Sequence, residues 1–173
     1  MIHNEDVQSI GHLSCKIEYL NGKSYELTMP NTVVSKGREA LAAVITNTFA
    51  SCPVDPAAFL SSNVTPSLYI NRMLFGNQGV DGSSVPKRVV STQNTLYCGA
   101  PLVTKNVSAI VNPNVATQAI FTSVLLYSDA IGIALSEMAL QMTNNNLYSM
   151  ITFPPITKTN QMQISFSWSI NFV

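Results

Sequence analysis

The stretch MQISFSWSINFV, residues 162–173, decides the fold class of this chain. Large apolar side chains occupy every even position and small or polar ones nearly every odd position, a period of two that a helix could not sort onto one face. A strand of this length extends roughly 40 Å, at about 3.3 Å per residue. The pattern predicts a long strand that closes a β fold, with a core face formed by Ile164, Phe166, Trp168, Ile170 and Phe172.

The chain of 173 residues carries little charge. Lys, Arg, Asp and Glu make up 10% of it, and nine basic residues balance nine acidic ones, so it lacks the basic patch typical of proteins that bind nucleic acid or anionic membranes. From residue 106 onward the charged residues are Asp129, Glu137 and Lys158. Because a free monomer usually carries more surface charge, we expect neighbouring subunits to cover much of the C-terminal half. A neutral surface rich in hydroxyl and amide groups is the alternative.

The three cysteines, Cys15, Cys52 and Cys98, are odd in number and widely spaced, so they predict neither a disulfide framework nor a zinc site. The first residues, MIHNED, are acidic and lack the apolar segment of a secretory signal, and no apolar run approaches the length of a membrane span. We therefore expect synthesis in a cytoplasm, with reduced cysteines, no metal and no cofactor.

The N-terminal segment predicts a β-hairpin followed by one α-helix. Residues 12–20 and 23–29 alternate between apolar and polar side chains around Asn21-Gly22, a dipeptide that suits the two positive-φ positions of a type I′ turn. Beyond Pro30, apolar residues recur at near-helical spacing over residues 34–49. Residues 1–50 are assigned to this hairpin and helix, either as an arm or as part of one domain with the rest of the chain.

Residues 51–173 are assigned to an antiparallel β-sandwich of immunoglobulin-like or jelly-roll-like type. A proline-containing loop at 51–66 precedes strand-like runs at 67–75, 88–91, 106–111, 118–127, 134–142 and 147–153. Turn residues separate these runs at spacings typical of sandwiches. The triplet Asn144-Asn145-Asn146 predicts a second hairpin, and Pro154-Pro155 is expected to stop the strand that follows it.

Residues 76–84 predict an exposed loop, because three glycines and two serines interrupt the strand pattern. We expect this loop either to contact a partner or to stay mobile. Its candidate contact residues are Asn77, Gln78, Val80, Asp81, Ser83 and Ser84.

The sequence offers little catalytic chemistry, and we predict that the protein is not an enzyme and has no catalytic residues. Its two histidines, His3 and His12, lie near the N-terminus, and His12 falls on the polar face of the first strand. An activated nucleophile needs a base within hydrogen-bonding reach, and no motif here supplies that pair. Glu137 stands alone in an apolar strand, so we predict an ion pair, either between subunits or between strands, with Arg72 and Lys158 as candidate partners.

Several segments follow one another in order along residues 68–173: YINRMLFGN from Tyr69, QAIFTS from Gln118, LSEMAL from Leu135, TFPPITKT from Thr152 and ISFSW from Ile164. Together they resemble small structural proteins of tailed bacteriophages and are similar in layout to the N-terminal module of phage tail-collar fibre proteins. The resemblance implies a β-sandwich with a structural role in a virion.

The leading hypothesis is a capsid decoration or cement protein that binds other virion proteins and forms a homo-oligomer, with a trimer suited to the three-fold positions of a capsid. A tail, collar, neck or baseplate component is the first alternative. A receptor-binding or carbohydrate-binding module is the second. Exposed aromatic side chains would mark such a module, and the candidates Tyr97, Tyr127, Tyr148 and Trp168 lie in strand-like runs that favour core packing.

Overall fold

The computed structural model describes residues 9–34, 37, 69–115 and 117–172. The protein is mainly β, and its described strands form one antiparallel, nearly closed sheet of nine. The strands are β1 (Ser9–Tyr19), β2 (Ser24–Val33), β3 (Ile70–Gly76), β4 (Val103–Asn106), β5 (Ser108–Val111), β6 (Gln118–Leu125), β7 (Ala134–Met142), β8 (Leu147–Thr157) and β9 (Met162–Phe172).

The sheet runs in the order β4-β3-β7-β8-β2-β1-β9-β6-β5, and two bent segments let it curve back on itself. β2 pairs with β1 over residues 24–31 and then with β8 through Thr32 and Val33. At the other corner, β4 pairs with β3 as far as Asn106, and β5 pairs with β6 from Ser108 onward. The two ends of the sheet order therefore belong to one bent segment, which is why the sheet is nearly closed.

The main hydrophobic core lies between the two halves of the sheet. Alternate residues of β9 point into it, and Ile164, Trp168 and Ile170 have no exposed surface. The ring centroids of Phe75 in β3 and Phe166 in β9 are 4.9 Å apart, so the two halves are in direct contact. The side chain of Phe172 lies outside the described set. Other strands contribute Leu13, Cys15, Ile17, Phe121, Leu125, Leu135, Met138, Leu140, Met142, Ile151 and Phe153.

A smaller hydrophobic cluster lies on the opposite face of β3, β7 and β8. Here Leu74, Ala139 and Met150 project from the strands and pack under Leu96. Leu96 belongs to residues 77–102, a largely irregular stretch that we call the cover segment. Because β7 packs into the main core on one side and under the cover segment on the other, six consecutive residues of it are buried.

The turn between β1 and β2 differs from the predicted type I′ geometry. Gly22 has a φ of 83°, but Asn21 does not adopt a positive φ. Gly22 N–H donates to the Tyr19 carbonyl and Tyr19 N–H donates to the Lys23 carbonyl, both at 2.9 Å, which is the pattern of a type I turn followed by a glycine bulge. The turn between β7 and β8 has the same bonding, and Asn145 supplies its positive φ of 67°.

The prediction that Pro154-Pro155 ends a strand is wrong, since β8 continues to Thr157. The register between β7 and β8 shifts at this point: Glu137 faces Thr152, whereas Leu135 faces Ile156. β8 thus accommodates two additional residues as a bulge. A bulge is one of the few places where a strand tolerates proline, which has no N–H for the ladder. Residues 88–91, also predicted as a strand, are irregular.

β1 and β2 stand in the middle of the sheet, with β1 paired to β2 on one side and β9 on the other. The described part of residues 1–50 therefore belongs to the same sheet as the strands that follow it. Apart from residues 34 and 37, the predicted helix at 34–49 lies outside the described residues, as does the predicted loop at 51–66.

We expect Trp168→Ala to lower the free energy of unfolding by about 3–5 kcal/mol, because it leaves a large cavity in the main core. Ser167→Ala is the matched control, since its side chain lies on the opposite face of β9, and its effect should stay within about 0.5 kcal/mol. Urea unfolding followed by circular dichroism measures both. Equal midpoints for the parent and Trp168→Ala would contradict the assignment of Trp168 to the core.

Candidate interaction site

A buried carboxylate attaches the cover segment to the sheet. Glu137 in β7 has no exposed surface. Its Oε1 accepts hydrogen bonds from the backbone N–H groups of Gln78, at 3.1 Å, and Cys98, at 3.0 Å. Its Oε2 accepts a third from Tyr97 N–H, at 2.6 Å. One side chain therefore holds two parts of the cover segment that are far apart in sequence.

These contacts correct the prediction that Glu137 forms an ion pair with Arg72 or Lys158. Arg72 is exposed, and the Lys158 ammonium donates instead to the carbonyls of Tyr127 and Thr159. Backbone N–H groups can satisfy a buried carboxylate in place of a cation, because each donates a charge-assisted hydrogen bond. Glu137 thus acts as a fixed acceptor for the cover segment.

Gly79 brings the cover segment against β7. Its N–H donates to Ser136 Oγ at 3.0 Å, and a Cβ at this position would stand 2.1 Å from the Ser136 carbonyl oxygen, too close for any side chain. Beyond Gly79 the chain turns at Asp81, whose Oδ1 accepts from the N–H groups of Ser83 and Val85 at 2.9 and 3.0 Å. The loop is therefore anchored at its base and folded at its tip.

The predicted partner-contact residues all lie in this anchored loop. Val80 is half-buried, and the other five are exposed: Asn77, Gln78, Asp81, Ser83 and Ser84. Farther along the cover segment, a groove of about 540 Å³ separates residues 88–91 from the adjoining parts of β2 and β8. Arg88 lines this groove, and its carbonyl accepts a hydrogen bond from the Tyr97 hydroxyl at 2.8 Å. The cover segment thus presents a small polar tip and a shallow groove.

A second surface covers the outside of β2, β1, β9, β6 and β5, and we call it the hydroxyl face. The strand register places one hydroxyl residue from each of these five strands side by side in a row: Thr28, Ser14, Ser167, Thr122 and Ser108. Ser165 and Ser169 extend the array along β9. Lys16 and Glu26 lie at its β1–β2 side, whereas the sequences of β9, β6 and β5 contain no Lys, Arg, Asp or Glu. The hydroxyl face is therefore rich in short hydroxyl side chains and, over three strands, uncharged.

Lys158 is buried just after β8, near the ion pair between Lys105 and Asp129. Burial lowers its pKa, and the Asp129 carboxylate partly offsets this shift. Asp129 forms an ion pair with Lys105 at 2.7 Å and accepts a hydrogen bond from Leu126 N–H, also at 2.7 Å. Burial raises the pKa of Asp129, but its hydrogen bonds and the two lysine charges outweigh burial, so the pKa lies below its ordinary value.

Other reactive groups are dispersed. His12 is exposed, and burial raises the pKa of the Cys15 thiol to about 12 and that of Cys98 to about 11, so both thiols are protonated at neutral pH. Within the described residues, no three His, Cys, Asp or Glu side chains lie close enough to hold a metal ion. The described part of the chain also contains no helix long and apolar enough to cross a membrane.

No protein-family model matches this chain, and no curated protein or solved structure matches it either.

Two features of these surfaces escape prediction from the sequence. The amide contacts of Glu137 join residues about 40 and 60 positions apart, and the only sequence signal is an isolated acid in an apolar strand. The hydroxyl face is spread over five strands, and serines at every second position of β9 are its only local sign. Neither arrangement can be predicted without knowing which strands are neighbours in the sheet.

We expect Glu137→Gln to destabilise the protein by about 2–4 kcal/mol, because the amide NH₂ replaces an acceptor and then faces a buried backbone donor. The cover segment should loosen first, so hydrogen exchange should accelerate at the amides of Gln78, Tyr97 and Cys98 before it does in β9. Glu26→Gln is the control, since that carboxylate is exposed and bonds the Ser14 hydroxyl. Unchanged exchange at the three amides would show that Glu137 does not hold the cover segment.

We expect Asp129→Asn to reduce stability at pH 7 by about 1 kcal/mol, because it removes the ion pair with Lys105. The folded pKa of Asp129 is lowered, so its contribution is complete above the unfolded value and is lost as the pH falls through the folded pKa. The parent and Asp129→Asn should therefore converge in urea midpoint at acidic pH. Lys105→Met should reproduce the loss at neutral pH, and a parent–variant difference that persists in acid would contradict the assignment.

Proposed function

We propose that this protein is a non-enzymatic structural component of a tailed-bacteriophage virion, and that it decorates or cements the capsid. The proposal begins from the resemblance of residues 68–173 to phage structural proteins. It includes synthesis in the host cytoplasm, assembly as a homo-oligomer, with a trimer matching three-fold capsid positions, and contacts with other virion proteins. It involves no nucleic acid, membrane or cofactor.

The hydroxyl face is the observation that supports this role best. Its central row of side chains is short, and over β9, β6 and β5 the face is uncharged, so another protein surface can cover it without burying an unpaired charge. Interface centres are depleted in charged residues for the same reason. A rigid sheet that offers such a face is suited to bridging neighbouring subunits of a shell.

We further infer that the nearly closed sheet is a β-sandwich, either immunoglobulin-like or jelly-roll-like, with β1 and β2 as its N-terminal hairpin. The contact between Phe75 and Phe166 supports two layers, since these residues come from opposite halves of the sheet. Bends in β2 and between β4 and β5 supply the corners at which strands change layer.

A position in the tail, collar, neck or baseplate is the alternative that uses the same hydroxyl face. A receptor-binding or carbohydrate-binding module has less support, because Trp168 and Tyr148 are buried and Tyr97 is engaged by Lys87 and the Arg88 carbonyl. Location in the particle separates head from tail, and binding to a glycan array would favour the module.

The test is to purify virions that carry this protein and to measure its copy number and position by quantitative mass spectrometry and cryo-electron microscopy. Decoration predicts a fixed ratio to the major capsid protein and density on the outer shell. Thr122→Lys, in the middle of the three uncharged strands of the hydroxyl face, should reduce incorporation by more than about tenfold, since an unpaired charge would be buried on docking.

Asn21→Lys is the matched control for that experiment, because Asn21 is exposed in the β1–β2 turn, away from the face. Ser83→Lys tests the tip of the cover segment in the same way. If Ser83→Lys reduces incorporation and Thr122→Lys does not, the attachment surface is the cover segment and not the hydroxyl face. Absence of the parent protein from purified particles would refute the virion role.

A further inference from the structure

The outer edge of β5 carries no pairing partner among the described residues. β5 is one end of the sheet order and pairs with β6 alone. Its four residues are all exposed, with Ile110 at 58% and Val111 at 65% of their maximum. Natural sheets usually protect such an edge with charge, proline, a bulge or a very short strand. β5 is short, at four residues, but contains no charge, proline or bulge.

The hydrogen bonding of β5 determines which groups point outward. Asn112 N–H donates to the Gln118 carbonyl at 2.8 Å, so these two residues form a hydrogen-bonded pair. Hydrogen-bonded and non-hydrogen-bonded pairs alternate along an antiparallel ladder. Ile110 and its partner Ile120 in β6 therefore form the next hydrogen-bonded pair. The N–H and C=O groups of Ala109 and Val111 then point away from β6, toward the open edge.

The neighbouring strand on that side diverges before it could fill the edge. The pairing of β4 with β3 extends to Val107 N–H, which donates to the Asn71 carbonyl at 3.1 Å. If that register continued, Tyr69 would stand opposite Ala109. Tyr69 instead uses its carbonyl to accept from Thr143 N–H, and its side chain is 57% exposed. The sheet opens at this point.

The edge is complementary to a second copy of itself. When two β5 strands run antiparallel about a two-fold axis at Ile110, Ala109 of each copy faces Val111 of the other, and their outward groups form four hydrogen bonds. The two Ile110 side chains meet on the outer side as a non-hydrogen-bonded pair, the closer of the two pair types. The chain carries no charge from residue 106 to residue 128, so no like charges oppose this approach.

We propose that two copies of this protein associate through their β5 edges and form one sheet that continues across a two-fold axis. The contact joins the two hydroxyl faces side by side and leaves both open. It goes beyond the proposed virion role, because it concerns the purified protein in solution and is tested without any phage particle. The virion role is tested separately, by the presence of the protein in particles, and a dimer in solution would replace only the trimer suggested for that role.

The test is the oligomeric state of the parent and two charge variants by sedimentation velocity, up to about 1 mM, the weak limit of specific affinity. The parent should show a dimer that dissociates on dilution. Ile110→Lys should weaken the dimer by more than about tenfold, because two lysines would then meet at the axis. Val124→Lys is the matched control, since Val124 lies on the same outer side but in the interior strand β6, and it should dimerise like the parent.

A cysteine variant tests the geometry. Paired Ile110 Cα atoms would be about 4.5 Å apart, within the roughly 4.4–6.8 Å range of disulfides, so Ile110→Cys should form a covalent dimer on mild oxidation while Val124→Cys should not. A monomeric parent, a trimer, or a dimer unaffected by Ile110→Lys would overturn the proposal. So would a lower melting temperature of Ile110→Lys with an unchanged oligomeric state, because the edge would then be covered by residues of the same chain.

Discussion

Burial of one face of β9 is the constraint on which the rest of the sheet depends. β9 lies between β1 and β6, and both pair with it over nearly their whole length. A slip of one residue would bring Trp168 to the surface and Ser167 into the core. Because neighbouring strands share this register, the core face of β9 also determines which residues of β1 and β6 turn inward. The hydroxyl face is the reverse side of the same alternation.

The other half of the sheet is organised differently, because β7 is buried on both faces. A strand in that position has no solvent to satisfy a polar side chain, and a buried carboxylate without partners would be costly. Glu137 is stabilised by three backbone amides of the cover segment. The dependence is mutual, since those amides would otherwise lack an acceptor in a partly buried place. The conformation of the cover segment thus depends in part on one side chain of the sheet.

Local patterns in the sequence predict much of the strand content, because period-two alternation and turn residues act over a few positions. The range 134–142 predicted for β7 coincides with the observed strand, and the asparagine triplet marks the following turn. The prediction of a type I′ turn at Asn21-Gly22 is wrong, because the dipeptide also fits a type I turn followed by a glycine bulge and does not distinguish the two. The prediction that Pro154-Pro155 stops the strand is wrong, because residues in a bulge need not donate a backbone N–H to the neighbouring strand. The partners of Glu137 depend on chain segments that meet only in the folded state.

The central pairing of β1 with β9 also governs when the protein can fold. Glu18 and Gln163 lie 145 residues apart in sequence yet bond to each other in the finished sheet. During translation, β1 and β2 leave the ribosome long before β9 exists, so an interior position of the sheet stays vacant until β9 has been synthesised. Contacts of such large sequence separation are associated with slow folding. During that interval the edges of β1 and β6 that will pair with β9 are unpaired, and a chain in that state is prone to aggregate.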